Sequence, residues 1–173
     1  MDYFCNKFQS MTDLSQLAEK AKKQEKQFKL FFKGLKKNQL RDLDDTIHDI
    51  HEEVFEETNC LECANCCRCL GPRITDRDIE KIASALRLKP HEVVASYLRI
   101  DEDNDYVFKS MPCPFLMPDN YCSIYENRPK ACREYPHTDR KKFFQIHQLT
   151  IRNAQTCPAV FEILEQLKAE FEG

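Results

Sequence analysis

The sequence predicts a mainly α chain with a few short strands, an N-terminal helical hairpin followed by a cysteine-rich domain. Three observations predict it. Apolar residues recur at helical spacing from about Thr12 to Thr58, a stretch without cysteine. From Cys60 onward, cysteines and prolines punctuate short periodic segments. Helix starts are marked by capping residues or by proline at the first position. The division falls after residue 58, giving a hairpin over 1–58 and a cysteine domain over 59–173.

In the hairpin, Leu14, Leu17, Ala18 and Ala21, then Phe28, Phe31, Phe32 and Leu35, define the apolar face of a first helix. Lys36-Lys37-Asn38 is the break. Leu40, Leu43, Ile47, Ile50 and Val54 follow an alternating 3-4 spacing, the seam of a second helix packed on the first. Charge is segregated: eight lysines and two glutamates lie between Glu19 and Lys37, but eight acids and one arginine between Arg41 and Glu57. Antiparallel packing would set the basic helix beside the acidic one, so mutual complementation with solvated faces is the expected reading. A lysine stripe that docks on an acidic partner or on nucleic acid is the alternative.

In the second part, Thr75-Asp76-Arg77-Asp78 is a capping-box start, followed by an apolar face of Ile79, Ile82, Ala83 and Leu86. Pro90 opens a short helix that buries Val93, Val94, Tyr97 and Leu98. Aromatic and β-branched residues at Tyr106–Phe108 and Tyr121–Tyr125 predict short strands paired as a hairpin. Pro158 starts a last helix that turns Val160, Ile163, Leu164 and Leu167 inward.

Composition excludes several function classes. The net charge is −3, without the basic excess of a nucleic-acid binder. The three glycines, Gly34, Gly71 and Gly173, are too far apart for a dinucleotide or phosphate loop. The start, Met1 to Lys7, lacks the apolar segment of a signal peptide, and no run approaches the roughly 18 apolar residues of a membrane span. The expectation is a cytoplasmic protein, in a reducing compartment where clustered cysteines are metal ligands or redox centres rather than disulfides.

The ten cysteines then carry the argument. Cys60, Cys63 and Cys66 repeat at two-residue gaps, so that a tight loop can aim successive sulfurs at one ion or cluster. Cys67 follows directly. Neighbouring side chains in an extended loop diverge, so Cys66 and Cys67 are not expected to serve one metal equivalently. Cys113 lies between Pro112 and Pro114, and Cys122 in the expected hairpin. Cys132 follows Arg128-Pro129, and Cys157 precedes Pro158. A three-thiol run with a remote Cys-Pro is the pattern of ferredoxin ligation. Arg68, Arg73, Arg128, Lys130 and Arg133 lie near these residues in sequence and can supply counter-charge. Tyr125, Arg128 and Tyr135 are expected to brace the Cys122 and Cys132 loops.

These residues resemble a known family. Cys60, Cys63, Cys66 and Cys67 form its Cys-x-x-Cys-x-x-Cys-Cys cluster, and Pro112 to Leu116 its Pro-Cys-Pro-Phe-Leu segment. Cys122 to Pro136 match its Cys-x-Ile-Tyr-Glu-x-Arg-Pro-x-x-Cys-Arg-x-Tyr-Pro block, and Cys157-Pro158 its late Cys-Pro. The chain is similar, over about Cys60 to Pro158, to the YkgJ-like cysteine-cluster proteins, a zinc- or iron-chelating family. The resemblance implies eight metal ligands: Cys60, Cys63, Cys66, Cys67, Cys113, Cys122, Cys132 and Cys157. Cys5 and Cys69 stand outside the pattern, and Cys5 reads as a small apolar core residue. The flagellin lysine N-methylase is a larger relative of that family, so an enzyme is the alternative.

The cofactor is a [4Fe-4S] cluster or Zn2+. The ferredoxin-like run favours the cluster, although spacing does not discriminate between them. The function read here is metal binding by a cysteine-cluster protein. An iron-sulfur oxidoreductase or a lysine-methylation enzyme is the alternative, and no membrane or nucleic-acid partner is expected. Among the histidines, His48 and His51 share a face of the acidic helix and read as solvated. His137 reads as a candidate accessory ligand.

Overall fold

A computed structural model describes residues 14–172. The expected position of Cys5 lies outside them. The helices are α1 (Leu14–Gly34), α2 (Lys37–Glu56), α3 (Cys60–Cys63), α4 (Asn65–Cys69), α5 (Asp76–Leu86), α6 (Pro90–Tyr97), α7 (Lys130–Glu134), α8 (His147–Asn153) and α9 (Pro158–Glu172). Strands β1 (Leu98–Ile100) and β2 (Tyr106–Phe108) pair antiparallel, with Leu98 opposite Phe108 and Ile100 opposite Tyr106. The architecture is mainly α with this one small sheet among the described residues.

The described chain forms two compact units. One comprises 14–58 together with 136–172; the other is Asn59–Tyr135. The division drawn from sequence keeps 136–173 with the cysteines, whereas contacts group that segment with the hairpin. The reason is apolar burial. Helix α9 packs on α1 and α2, and its Val160, Ile163, Leu164 and Leu167 are completely buried against Phe28, Phe32, Leu43 and Ile47. Two antiparallel helices leave one side of their seam exposed, and a third amphipathic helix covers it.

Within this hairpin unit the predicted seam is in place. Leu43, Ile47, Ile50 and Val54 are buried, while Leu40, at the mouth of the seam, is exposed. The chain reverses over Leu35 and Lys36. Lys36 adopts extended backbone and its amide donates to the Gln39 side chain at 2.9 Å, starting α2. Asp44 accepts the amide of Phe143 at 2.9 Å and so fixes the turn that buries the Phe143 ring.

The charge segregation of α1 and α2 is not resolved by pairing between the two helices. The ion pairs of α1 are internal, Lys23 with Glu19 and Lys29 with Glu25, and none among the described residues joins α1 to α2. The lysines of α1 are exposed, a solvated face.

In the cysteine unit, the Thr75 hydroxyl accepts the Asp78 amide at 3.2 Å and the Asp78 carboxylate accepts the Thr75 amide at 3.0 Å, the predicted capping box. Ile79, Ile82 and Ala83 are buried with Val93, Leu98, Phe108, Phe115 and Ile124. The strand expectation holds at Tyr106–Phe108 but fails at Tyr121–Tyr125. There only an isolated bridge forms, between Leu116 and Cys122, and the chain turns into a 3-10 helix over Tyr125–Asn127. Asn120, at φ 65, closes the Met117–Tyr121 turn and leaves no length for a ladder. The partner of β2 is instead the chain leaving α6.

Candidate metal centre

The Cys60–Cys69 run is helical rather than the expected loop. Asn59 caps α3 by accepting the Leu61 amide at 3.0 Å. Ala64, buried and left-handed at φ 46, donates its amide to the Cys60 carbonyl at 2.8 Å and ends that turn. A second turn, α4, then closes through the Leu70 amide to the Cys66 carbonyl at 2.9 Å. A left-handed alanine costs about 1–2 kcal/mol, yet it lets two single turns present their thiols at an angle that one continuous helix would not give. Cys66 and Cys67 are therefore helical neighbours, about 100° apart around the axis, and their sulfurs lie 4.0 Å from each other. The divergence expected of an extended pair does not occur.

Three further segments bring thiols to this turn. The Cys113 amide donates to the Cys67 carbonyl at 2.8 Å and seats the Pro112–Phe115 segment against α4. Cys122 bridges to Leu116, and the following Ser123 amide reaches the Phe115 carbonyl at 2.9 Å. Cys132 lies on α7, which Asp78 holds in place by accepting the Lys130 amide at 2.9 Å. Asp78 thus has a second task that its capping motif does not announce. Asn120 is another residue that sequence reading passes over. Its amide donates to the Leu61 carbonyl at 2.6 Å while its oxygen accepts from Arg68, which also donates to the Cys63 carbonyl at 2.9 Å. The Pro-Asp-Asn turn is the signal that could have found it, since asparagine tolerates the left-handed region.

Cys67 is the hub. Its thiolate would be felt as a like charge at Cys60, Cys113, Cys122 and Cys132, and Cys60 is coupled in the same way to Cys63. Burial pushes the Cys132 thiol up to about 12 and that of Cys113 up to about 11, and raises Cys60 and Cys122 as well. Cys67 moves the other way, to about 7. The hydrogen bond from Cys66 is the main cause, and the charges of Arg128 and Arg68 help to outweigh its desolvation. Among the described residues no three His, Cys, Asp or Glu side chains close into metal-ligand geometry. None of the nine described cysteines is in a disulfide.

The donor chemistry fits a soft-metal centre. Thiolates are the ligands of zinc and of iron-sulfur clusters, and seven of the eight predicted cysteines belong to this one unit. The Nε of Arg128, near four of those thiols, is buried without a hydrogen-bond partner in the described structure. Cys157 belongs to the hairpin unit. Its amide bonds to the Asn153 carbonyl at 2.8 Å, and it packs on that unit's core at the start of α9. Cys69 is exposed and donates to Asn65 at 3.4 Å.

The three histidines singled out from sequence, His48, His51 and His137, also lie in the hairpin unit. His48 Nδ1 is 2.9 Å from the Asp139 carboxylate. His51 Nδ1 is 2.8 Å from the completely buried Thr138 hydroxyl, and the His51 ring packs on Phe55 at 4.5 Å. The pair latches residues 138–139 to α2: His48 stays exposed on the solvated face the sequence predicts, while His51 is half-buried. A cleft of about 420 Å³ beside Leu30, Phe31 and Phe171 and another of about 320 Å³ beside Arg99 and Met111 contain no cysteine.

Four short segments carry the thiols of this unit, and three of them place a thiol near the Arg128 guanidinium, the donor chemistry of a cysteine-rich chelating class of protein. The chain belongs to the CxxCxxCC family, whose model, described as "Putative zinc- or iron-chelating domain", matches residues 59–158. No curated protein and no solved structure matches the chain. No described helix is long and apolar enough to cross a membrane.

Proposed function

We propose that this chain is a metal-chelating module in which Cys60, Cys63, Cys66, Cys67, Cys113, Cys122 and Cys132 are the ligand set for zinc or an iron-sulfur centre. The observation that carries the reading is that seven thiols from four separate segments gather in the one unit Asn59–Tyr135, with the Cys66 and Cys67 sulfurs 4.0 Å apart and the Cys113 amide seated on the Cys67 carbonyl. Elsewhere in a reducing compartment, buried cysteines are inert apolar residues and need not meet. Here sequence-distant thiols meet beside arginines.

Two observations bear on the metal. Sulfurs on one tetrahedral zinc lie about 3.8 Å apart, given Zn–S bonds of about 2.3 Å, and the 4.0 Å between Cys66 and Cys67 is close to that. The Cys60, Cys63 and Cys66 spacing supports a cluster instead. Bound zinc would supply folding energy; a cluster would supply electron transfer as well.

The test is metal and acid-labile sulfide analysis, with an absorption spectrum, on protein purified without oxygen. Stoichiometric zinc and no colour establish the structural thiolate centre; iron with equal sulfide and a broad band establish the cluster. Neither metal in the purified protein, with no uptake of Zn2+ or of iron and sulfide by the reduced chain, would end the reading.

A further inference from the structure

Of the five cations that lie near the cysteines in sequence, four are committed elsewhere. Arg68 donates to Asn120 and to the Cys63 carbonyl. Arg73 pairs with Asp105 at 2.9 Å, and Lys130 lies 3.6 Å from Glu134. Arg133 donates to the Arg128 carbonyl. Arg128 is the exception. It pairs with no carboxylate, and its Nε alone among these cations is buried with no hydrogen-bond partner among the described residues.

Its position is nevertheless fixed. The guanidinium carbon lies 3.5 Å over the centre of the Tyr125 ring, whose outer neighbour is Tyr121, stacked at 5.3 Å. The Arg128 amide donates to the Tyr125 carbonyl at 3.3 Å, and the next residue, Pro129, is buried. A charged donor held with its Nε buried and unmatched needs an anion. The thiols of Cys60, Cys67, Cys122 and Cys132 all lie within its electrostatic reach. They come from three segments, and among the described residues Arg128 is the one cation that reaches all four.

We infer that Arg128 is the built-in counter-cation of the thiolate centre, a positioning residue that offsets the charge of the metal complex while Tyr125 holds it in place. The inference rests on the chelation reading above. Its electrostatic logic is simple: four thiolates on a divalent ion leave two negative charges, which are costly in a partly buried site unless a cation faces them. Lysine could supply the charge from this position, but not the planar stack on Tyr125.

The experiment titrates the reduced, metal-free full chain with Zn2+ in competition with a chromophoric chelator, for wild type, Arg128→Met and Arg128→Lys, with circular dichroism on each. The Met variant is expected to keep the wild-type stoichiometry and helicity but to bind about 10- to 100-fold more weakly, the usual effect of removing an outer-shell partner. The Lys variant is expected to recover to within a few-fold of wild type. Wild-type affinity in the Met variant would overturn the inference while leaving chelation intact. So would a Lys variant as weak as Met, because the stack rather than the charge would then matter. A wild-type chain that takes up no Zn2+ would instead remove the chelation reading itself.

Discussion

The two units solve the problem of stability differently. Of the twelve largest fully buried side chains among the described residues, ten lie in the hairpin unit: Phe28, Phe32, Phe143, Leu17, Leu43, Ile47, Ile151, Ile163, Leu164 and Leu167. The cysteine unit has Ile82 and Val93. Its own cluster, from Ile74 to Ile124, is smaller, and much of Asn59–Tyr135 is held by caps and turn hydrogen bonds instead. Small domains with little core take stability from metal or disulfide staples. The hairpin unit already buries three helices against one another and has no such need. The comparison teaches that, on the chelation reading proposed above, the thiols would serve the fold of their own unit as well as any chemistry.

Metal removal should separate the two most widely. Chelation of the bound metal is expected to cost the cysteine unit several kcal/mol, since the binding energy of a structural site is folding energy. Amide exchange in 59–135 should then rise sharply while α1, α2 and α9 stay protected. Uniform protection before and after chelation would show that the cysteine unit stands on its apolar core alone.

Truncation in the hairpin should do the reverse. Phe32→Ala, at a completely buried ring that meets Phe31 and Phe143, is expected to cost about 3–5 kcal/mol. Its effect belongs on the hairpin transition, with metal content unchanged. Loss of metal in that variant would mean that the units share stability.

Cys132→Ser should lower metal content and weaken the cysteine unit by roughly 2–3 kcal/mol, within the usual range for breaking a buried network. The pH dependence sharpens the point. The Cys132 and Cys113 thiols, pushed up to about 12 and about 11 by burial, hold their protons more tightly folded than unfolded. In the metal-free protein that contribution is full below the ordinary thiol value and is lost as pH rises through the folded values. Metal binding runs oppositely, because it displaces those protons and strengthens as pH rises. Parallel pH trends in denaturation and Zn2+ titration would contradict both assignments.

Asp78→Asn is smaller, about 1–2 kcal/mol. Burial pushes this carboxyl up, but bonds from the Thr75 hydroxyl and amide and the Lys130 amide hold it below the ordinary carboxylate value. Its contribution is therefore present above the usual carboxylate range and fades as pH falls through the lowered folded value. The wild-type and variant curves should converge in acid. The smallest effect belongs to His48→Ala, an exposed partner of Asp139, at about 0.5 kcal/mol in thermal melts.

The helices were legible because each has a local signature. The 3-4 seam of α2, the Thr75 box and the prolines at the starts of α6 and α9 all work within one or two turns of chain. The thiol run misled as a loop. Each of its turns is only four or five residues long, and the left-handed Ala64 that separates them carries no propensity signal. Tyr121–Tyr125 misled as a strand because its composition is strand-like, while Asn120 and the 3-10 turn limit its length. The roles of His48 and His51 were out of reach, since their partners lie about 90 residues away in sequence.

The sequence by itself determined the class of the chain: a helical protein whose cysteines follow the pattern of a chelating family. Tertiary structure decided which elements share a core, sending α9 to the hairpin because its apolar face completes that seam. It also decided how the thiols are arranged, with Cys67 at the centre and Arg128 beside it. Burial and charge proximity depend on distances between segments far apart in the chain, and no local periodicity encodes those.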